Sequence, residues 1–310
     1  MEALPDGELE CVEGAVVHAL DTNDHRGLTI LGYGEVSVAI GWPTGAPRWA
    51  LKRLPPFPDR AARRRHIELI RRYIDHLTAA GVGVVDTEIA TLERDDGALL
   101  AYLVQPALDP ATLAPAVLAA ADPAHGHPLV DAVVDAVLAC TDGRCGIDAQ
   151  MTNWVWSDGR VSNLDVNTPF LYDAEGRPEL DVGVFLAALP APVRRAQRRA
   201  TAGIVARWRR PRWALLDCAM NLYKDGLDAW VPLVIAAANP HLDEPLDPDE
   251  VARRYESEAK LWVTMHRLER LERWWRRRIR RQRYEFLLSP DTHYARRRHV
   301  RPTSHPGGSA

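Results

Sequence analysis

Cysteine is scarce in this sequence, and what there is forms no recognisable metal pattern. Cys11, Cys140, Cys145 and Cys218 make no CxxC pair and no zinc-type set, so the thiols read as reduced and no zinc site is expected. The histidines, such as His125 and His127, make no HExxH. Long apolar runs are missing too. The longest, around VPLVIAAA, is far short of the ~20 residues that a membrane-spanning helix needs. The opening MEALPDGELE is acidic and polar, unlike a secretory signal. Neither sign of charge dominates: the formal net charge is -3, which gives no global field toward nucleic acid or membrane. GxSxG and GxxxxGK[ST] do not occur, which argues against a serine hydrolase and a Walker-type NTPase. The expectation from these absences is a cytoplasmic protein with no membrane partner and no nucleic acid.

What remains is a soluble, globular composition. The chain has 310 residues, 46% hydrophobic and 26% charged, ample for a sizeable core. Its Arg, Ala and Pro bias suggests a GC-rich bacterial genome. Residues 28–54 alternate apolar and polar around glycines, which predicts two or three strands with GWPTGAP as a surface loop. After PPFPD, Ile67, Ile70, Ile74 and Leu77 recur at helical spacing, which predicts a helix over 60–79. Two further strands are expected at 84–91 and 99–105, with ERDDGA as the turn. From 110 the texture becomes alanine-rich and helix-favouring, with helices at 111–121 and 127–140. Beyond 190 the chain reads as helical to about 288. Strands with one helix, then helices with one hairpin, predict an α+β fold in two lobes rather than a βαβ alternation. The expected division is 1–106, 107–290 and a disordered tail at 291–310.

The hairpin lies in GIDAQMTNWVWSDGRVSNLDVNTPF, residues 146–170. Asp158-Gly159 between short apolar runs is a strong hairpin signal. A hairpin returns its ends to one place, so Asn153 at its entrance and Asp165 past its exit should be neighbours. Asp148, just upstream, can face the same pocket. Two side-by-side oxygen ligands suit Mg²⁺, and a separate aspartate can orient an attacking hydroxyl. Asp165 is equally at home as a turn or cap residue.

Toward the N-terminus, Gly32-Tyr33-Gly34-Glu35-Val36-Ser37 sits between predicted strands. Such a turn lets backbone N–H groups approach phosphate oxygens, though a plain β-turn fits as well. Lys52 lies on the next apolar strand, either as its solvent-facing half or aimed at phosphates. Glu68 on the following helix either steadies that lysine or pairs with Arg64 or Arg72 on the helix surface.

The order of these pieces resembles the protein-kinase-like fold, including its aminoglycoside phosphotransferase branch. LGYGEVSVAIGWP and WALKRLPPFPD also look like an actinobacterial family of kinase-like proteins. The resemblance covers about 28–185. It implies that Gly32, Gly34 and Ser37 cover the phosphates of ATP or another nucleoside triphosphate. It implies that Lys52, steadied by Glu68, contacts the α- and β-phosphates. Gln105 and Ala107 would meet the base through backbone groups. Asp148 would be the catalytic aspartate, and Asn153 and Asp165 would hold Mg²⁺. The implied activity is phosphoryl transfer to a hydroxyl of a small molecule. The chain departs from the pattern at Ser37, the third glycine position. It departs again at Gly146, where a histidine is usual, at Gln150, where Lys or His is usual, and at Val166-Asn167. These departures keep open a nucleotide-binding pseudokinase that acts as a scaffold. A peptide Ser/Thr kinase of a natural-product pathway is also open.

The stretch 267–283 has nine arginines against Glu269 and Glu272. It reads either as a basic surface for an anionic substrate, a peptide or nucleic acid, or as a solvated helix face with Trp274 and Trp275 packed inward.

Overall fold

The computed structural model describes residues 3–34 and 37–289. Glu35 and Val36 of the glycine turn and the tail at 291–310 lie outside the described residues. The first element is one the sequence reading does not assign. Helix α1 (Glu8–Thr22) turns Leu9, Val12, Val16, Ala19 and Leu20 to one side, a helical i, i+3, i+7 stripe. It lies across a sheet made of β1 (Thr29–Tyr33), β2 (Val38–Trp42), β3 (Trp49–Arg53), β5 (Glu88–Glu93) and β6 (Leu99–Pro106). The strand order is β1-β2-β3-β6-β5, antiparallel throughout. Gly41 is demanded by the β2–β3 loop: a Cβ there would meet Pro47 at 2.9 Å.

Period-two alternation gives the sheet two different faces. Leu51, Tyr102 and Val104 pack under α1 with Val38 and Ile40. Lys52, opposite Leu103 in register, points the other way, toward the rest of the molecule. Helix α2 (Arg60–Ala79) is capped by Asp59, whose side chain accepts from Ala62 N at 2.7 Å. It buries His66, Leu69, Ile70, Tyr73 and Leu77. Two-residue β4 (Gly83–Val84) pairs parallel with a strand of the later hairpin.

The second half is helical around that hairpin. α3 (Ala114–Ala120) and α4 (Pro128–Cys140) precede β7 (Trp154–Ser157) and β8 (Arg160–Asn163). Asp158 and Gly159 have φ of 53° and 72°, the two left-handed positions of a type I′ turn. Then come α5 (Ala191–Val205), α6 (Pro211–Asp225), α7 (Val231–Ala238) and the long α8 (Pro248–Arg278). One apolar core runs from α2 through α4, β7, α6, α7 and α8. The architecture is α+β, with a small antiparallel N-terminal sheet and a mainly helical C-terminal part.

Two features differ from expectation. Trp274 and Trp275 do not pack inward; both are exposed on α8. And the chain after α8 returns to the N-terminal sheet. Leu287 packs against the α1 layer, and Glu285 accepts from Arg53 and Arg94.

Candidate functional site

The hairpin brings its two ends together as its geometry requires. Leu164 N donates to Asn153 O at 2.9 Å, so Asn153 and the residue before Asp165 are bonded neighbours. Asn153 Nδ2 donates to the Asp148 carbonyl at 3.2 Å, which makes Oδ1 the accepting end of that amide. Asp148 and Asp165 are close enough for their charges to repel. The structure thus gathers Asp148, Asn153 and Asp165 around one point.

Lys52 reaches this point from the sheet. Its Nζ donates to Asp165 Oδ1 at 2.8 Å and to the Leu164 carbonyl at 3.0 Å. Gln105, buried two residues beyond Leu103 on the same face, donates from Nε2 to that carbonyl at 3.0 Å and to Thr87 Oγ1 at 2.9 Å. So Gln105 contributes a side chain here, where a backbone role was expected. Ala107 N–H is spent on the Arg48 carbonyl at 2.9 Å, which continues the β3–β6 ladder and leaves Ala107 no free donor for a base.

Glu68 is not brought to Lys52. The helix phase that buries His66, Leu69, Ile70 and Tyr73 puts Glu68 in solvent. The carboxylate that holds Lys52 is Asp165. α2 instead offers His66, whose Nε2 lies 3.2 Å from the Asn167 carbonyl between the rings of Phe57 and Phe185. Burial pushes His66 down to about 4, so it is neutral at pH 7.

The glycine turn closes through Gly34 N donating to Ser37 O at 2.8 Å, with Gly32 opposite Ala39 in register. A Cβ on Gly32 would meet nothing within 4 Å, so packing does not demand that glycine. The cavity that Gly34 and Ser37 line opens toward Arg53, Phe185 and Glu285, which is not the Lys52 face.

Two departures in the sequence now have physical causes. At Gly146 a Cβ would fall 2.6 Å from the Trp208 carbonyl, so the segment after α5 occupies the volume of any side chain. Tyr73 donates to the Gly146 carbonyl at 3.0 Å and fixes the loop from the other side. At Gln150 the missing cation is supplied from elsewhere. Lys224, near the end of α6, donates to Gln150 Oε1. Gln150 in turn donates from N and Nε2 to the two Asp148 oxygens, each at 3.2 Å. Burial first, and the Asp165 charge second, push Asp148 up to about 6, while Lys224 pulls it down. Sequence reasoning missed Lys224, His66 and the Gln105 side chain. A lysine in the last turn of a capped helix carries no local signal of such a role.

The donor set here is oxygen only: the Asp165 carboxylate, the Asn153 amide and backbone carbonyls. That suits a hard cation such as Mg²⁺ holding one or two protein ligands. Among the described residues no group of three or more His, Cys, Asp or Glu is arranged to hold a metal, and no helix is long and apolar enough to cross a membrane.

A model of a family of unknown function, DUF6206, matches residues 12–273. No curated protein matches the chain. Among solved structures the chain is similar to WaaP in complex with acyl carrier protein, at 16% identity over 87% of this chain and 99% of that one, with a TM-score of 0.39.

Proposed function

The chain belongs to that family of unknown function, and we propose that it is a phosphotransferase. In this reading it transfers a phosphoryl group from ATP, or another nucleoside triphosphate, to a hydroxyl of a small molecule, as the aminoglycoside phosphotransferase branch of kinase-like proteins does. The observation that carries the reading is the contact of Lys52 with Asp165, 113 residues apart, beside Asp148 and Asn153. A cation from a sheet, a carboxylate and amide from a hairpin, and a second aspartate of raised basicity are the parts phosphoryl transfer uses. Lys52 binds and orients the phosphates; the turn of Gly32, Gly34 and Ser37, whose cavity opens on the other face of the sheet, has to swing across to cover them. Asn153 and Asp165 would hold Mg²⁺, whose positive charge would offset that of the phosphate oxygens. Asp148 accepts or orients the hydroxyl proton, and its value near 6 leaves it ionised at pH 7 yet basic enough to act. Lys224, through Gln150, keeps a positive charge beside Asp148. The site lies where the proposed lobes, 1–106 and 107–290, meet.

The second reading, a nucleotide-binding protein without turnover, is favoured by one observation. The Trp208 backbone fills the place a side chain at 146 would need. Titration of a nucleoside triphosphate with and without Mg²⁺, followed by an ATP-consumption assay, separates the readings. Asp165→Asn is expected to lose the Mg²⁺-dependent part of nucleotide affinity. Asp148→Asn is expected to bind Mg-nucleotide like the parent and lose turnover by roughly 10²-fold. Binding without any turnover in the parent selects the second reading. No binding in either condition refutes both.

A further inference from the structure

Residues 267–281, the end of α8 and the turn after it, are built inside out. Both acids face inward: Glu269 is buried against His266 at 3.0 Å, and Glu272 against Arg276 at 2.6 Å. The large apolar side chains face outward. Leu271 is 55% exposed, Trp274 52%, Trp275 46% and Ile279 53%. Leu271, Trp274 and Trp275, at i, i+3 and i+4, lie on one side of α8, and Ile279 follows at its C-cap. They are four of the six exposed large hydrophobics among the described residues, so this is a patch and not scatter. Arg267, Arg278, Arg280 and Arg281 are exposed around it and make no ion pair among the described residues. Other arginines of the stretch are occupied. Arg273 and Arg277 hold Asn23 and Asp21 at the end of α1, and Arg283 holds Asp21.

We infer that this face docks on the surface of an anionic lipid bilayer. The outward charge of the stretch is purely cationic, so the complementary partner is anionic. The apolar groups stand exposed at the outer side of a helix end, which suits a flat, deformable partner. Tryptophan settles at the level of lipid headgroups, while leucine and isoleucine reach the acyl boundary. Guanidinium groups pair with phosphate oxygens. The combination also discriminates against nucleic acid, where arginine and tryptophan find partners but exposed Leu271 and Ile279 find none. The following residues of the chain are no acidic cover for the patch: 290–310 hold Arg296, Arg297, Arg298 and Arg301 against Asp291. The net charge of -3 hides this local field, which is why the sequence reads as a protein with no membrane partner.

The test is co-sedimentation of the full chain with vesicles of phosphatidylcholine alone and of phosphatidylcholine with phosphatidylglycerol. Binding is expected only to the second, and added salt should weaken it. Trp274→Ser with Trp275→Ser, and separately Arg278→Glu with Arg280→Glu and Arg281→Glu, should each weaken it by about tenfold or more. All five positions are exposed, so an unchanged melting temperature shows that the variants still fold. Asp148→Asn should bind vesicles like the parent, which separates this inference from the proposed chemistry. Three results overturn it: no binding to the anionic vesicles, equal binding by the tryptophan variant, or binding to a duplex oligonucleotide in place of vesicles.

Discussion

At the residue scale the site depends on charges borrowed across long sequence distances. Gln150 stands where a cationic residue is usual, and Lys224 restores the charge from 74 residues away. Its attraction favours the ionised form of Asp148, opposing the burial and the Asp165 repulsion that raise it. Lys224→Met should therefore move Asp148 further up from about 6. In the proposed reaction the acid limb of the pH–rate profile should shift to higher pH, and turnover at pH 7 should fall by roughly two- to tenfold. A purely structural lysine would lower the yield of folded protein and leave that limb in place. His66 gives a second titration, this time of stability. Burial holds the folded ring near 4 against about 6.5 when unfolded. Between those values the unfolded chain binds more protons, so stability falls as pH drops from about 6.5 toward 4, by up to about 3 kcal/mol. Above pH 7 His66 contributes no slope. Denaturant melts at pH 7 and pH 5 should show this loss in the parent and less of it in His66→Gln. An equal loss in both would show that His66 is not its source.

Among the elements, the hairpin was the most legible and α2 the least well oriented. Asp158-Gly159 specifies a type I′ turn whatever surrounds it. That local certainty is why Asn153 and Asp165 can be placed together from sequence. Gly159→Val should test it, since a β-branched residue is strained at a φ of 72°. A loss of roughly 1–3 kcal/mol in denaturant melts is expected, with weaker nucleotide binding if the proposed site is right. α2 was legible as a helix but not in phase. Counting only aliphatics centres its face on Ile67, Ile70 and Ile74, whereas the buried face contains His66 and Tyr73. Those two side chains carry polar tips that find partners in the Asn167 and Gly146 carbonyls, and the correction turns Glu68 outward. α8 misled in the opposite sense. A Trp-Trp pair in an amphipathic pattern reads as core, and only the tertiary structure shows the glutamates taking the inner side. α1 went unassigned although its stripe was there to read, with Gly14 interrupting an otherwise regular helix.

In the whole molecule the outer face of the sheet is stitched by a buried set of charges. Arg53 donates to both Glu13 oxygens at 2.9 Å and to Glu285 at 2.7 Å. Arg94 donates to Glu13 at 2.8 Å and to Glu285 at 2.6 Å. Tyr102 donates to Glu13 as well. Burial alone would raise the Glu13 carboxyl, but Arg53, Tyr102 and Arg94 together hold it below its ordinary value. A buried ion cluster is costly to desolvate and more costly to break. Arg53→Met leaves two carboxylates short of a partner and should destabilise by roughly 3–5 kcal/mol in denaturant melts. A loss under ~1 kcal/mol, the range of exposed pairs, would mean that water reaches the cluster.

That cluster also sets a schedule. Glu13, Arg53 and Arg94 leave the ribosome early, but the Glu285 that completes them follows Arg53 by 232 residues. At ordinary synthesis rates this is an interval of roughly ten seconds to most of a minute. Once Arg94 has followed, the nascent sheet carries two arginines that share Glu13, with Asp96 as a further partner for Arg94 alone. The N-terminal layer, made first, is thus among the last parts to be finished.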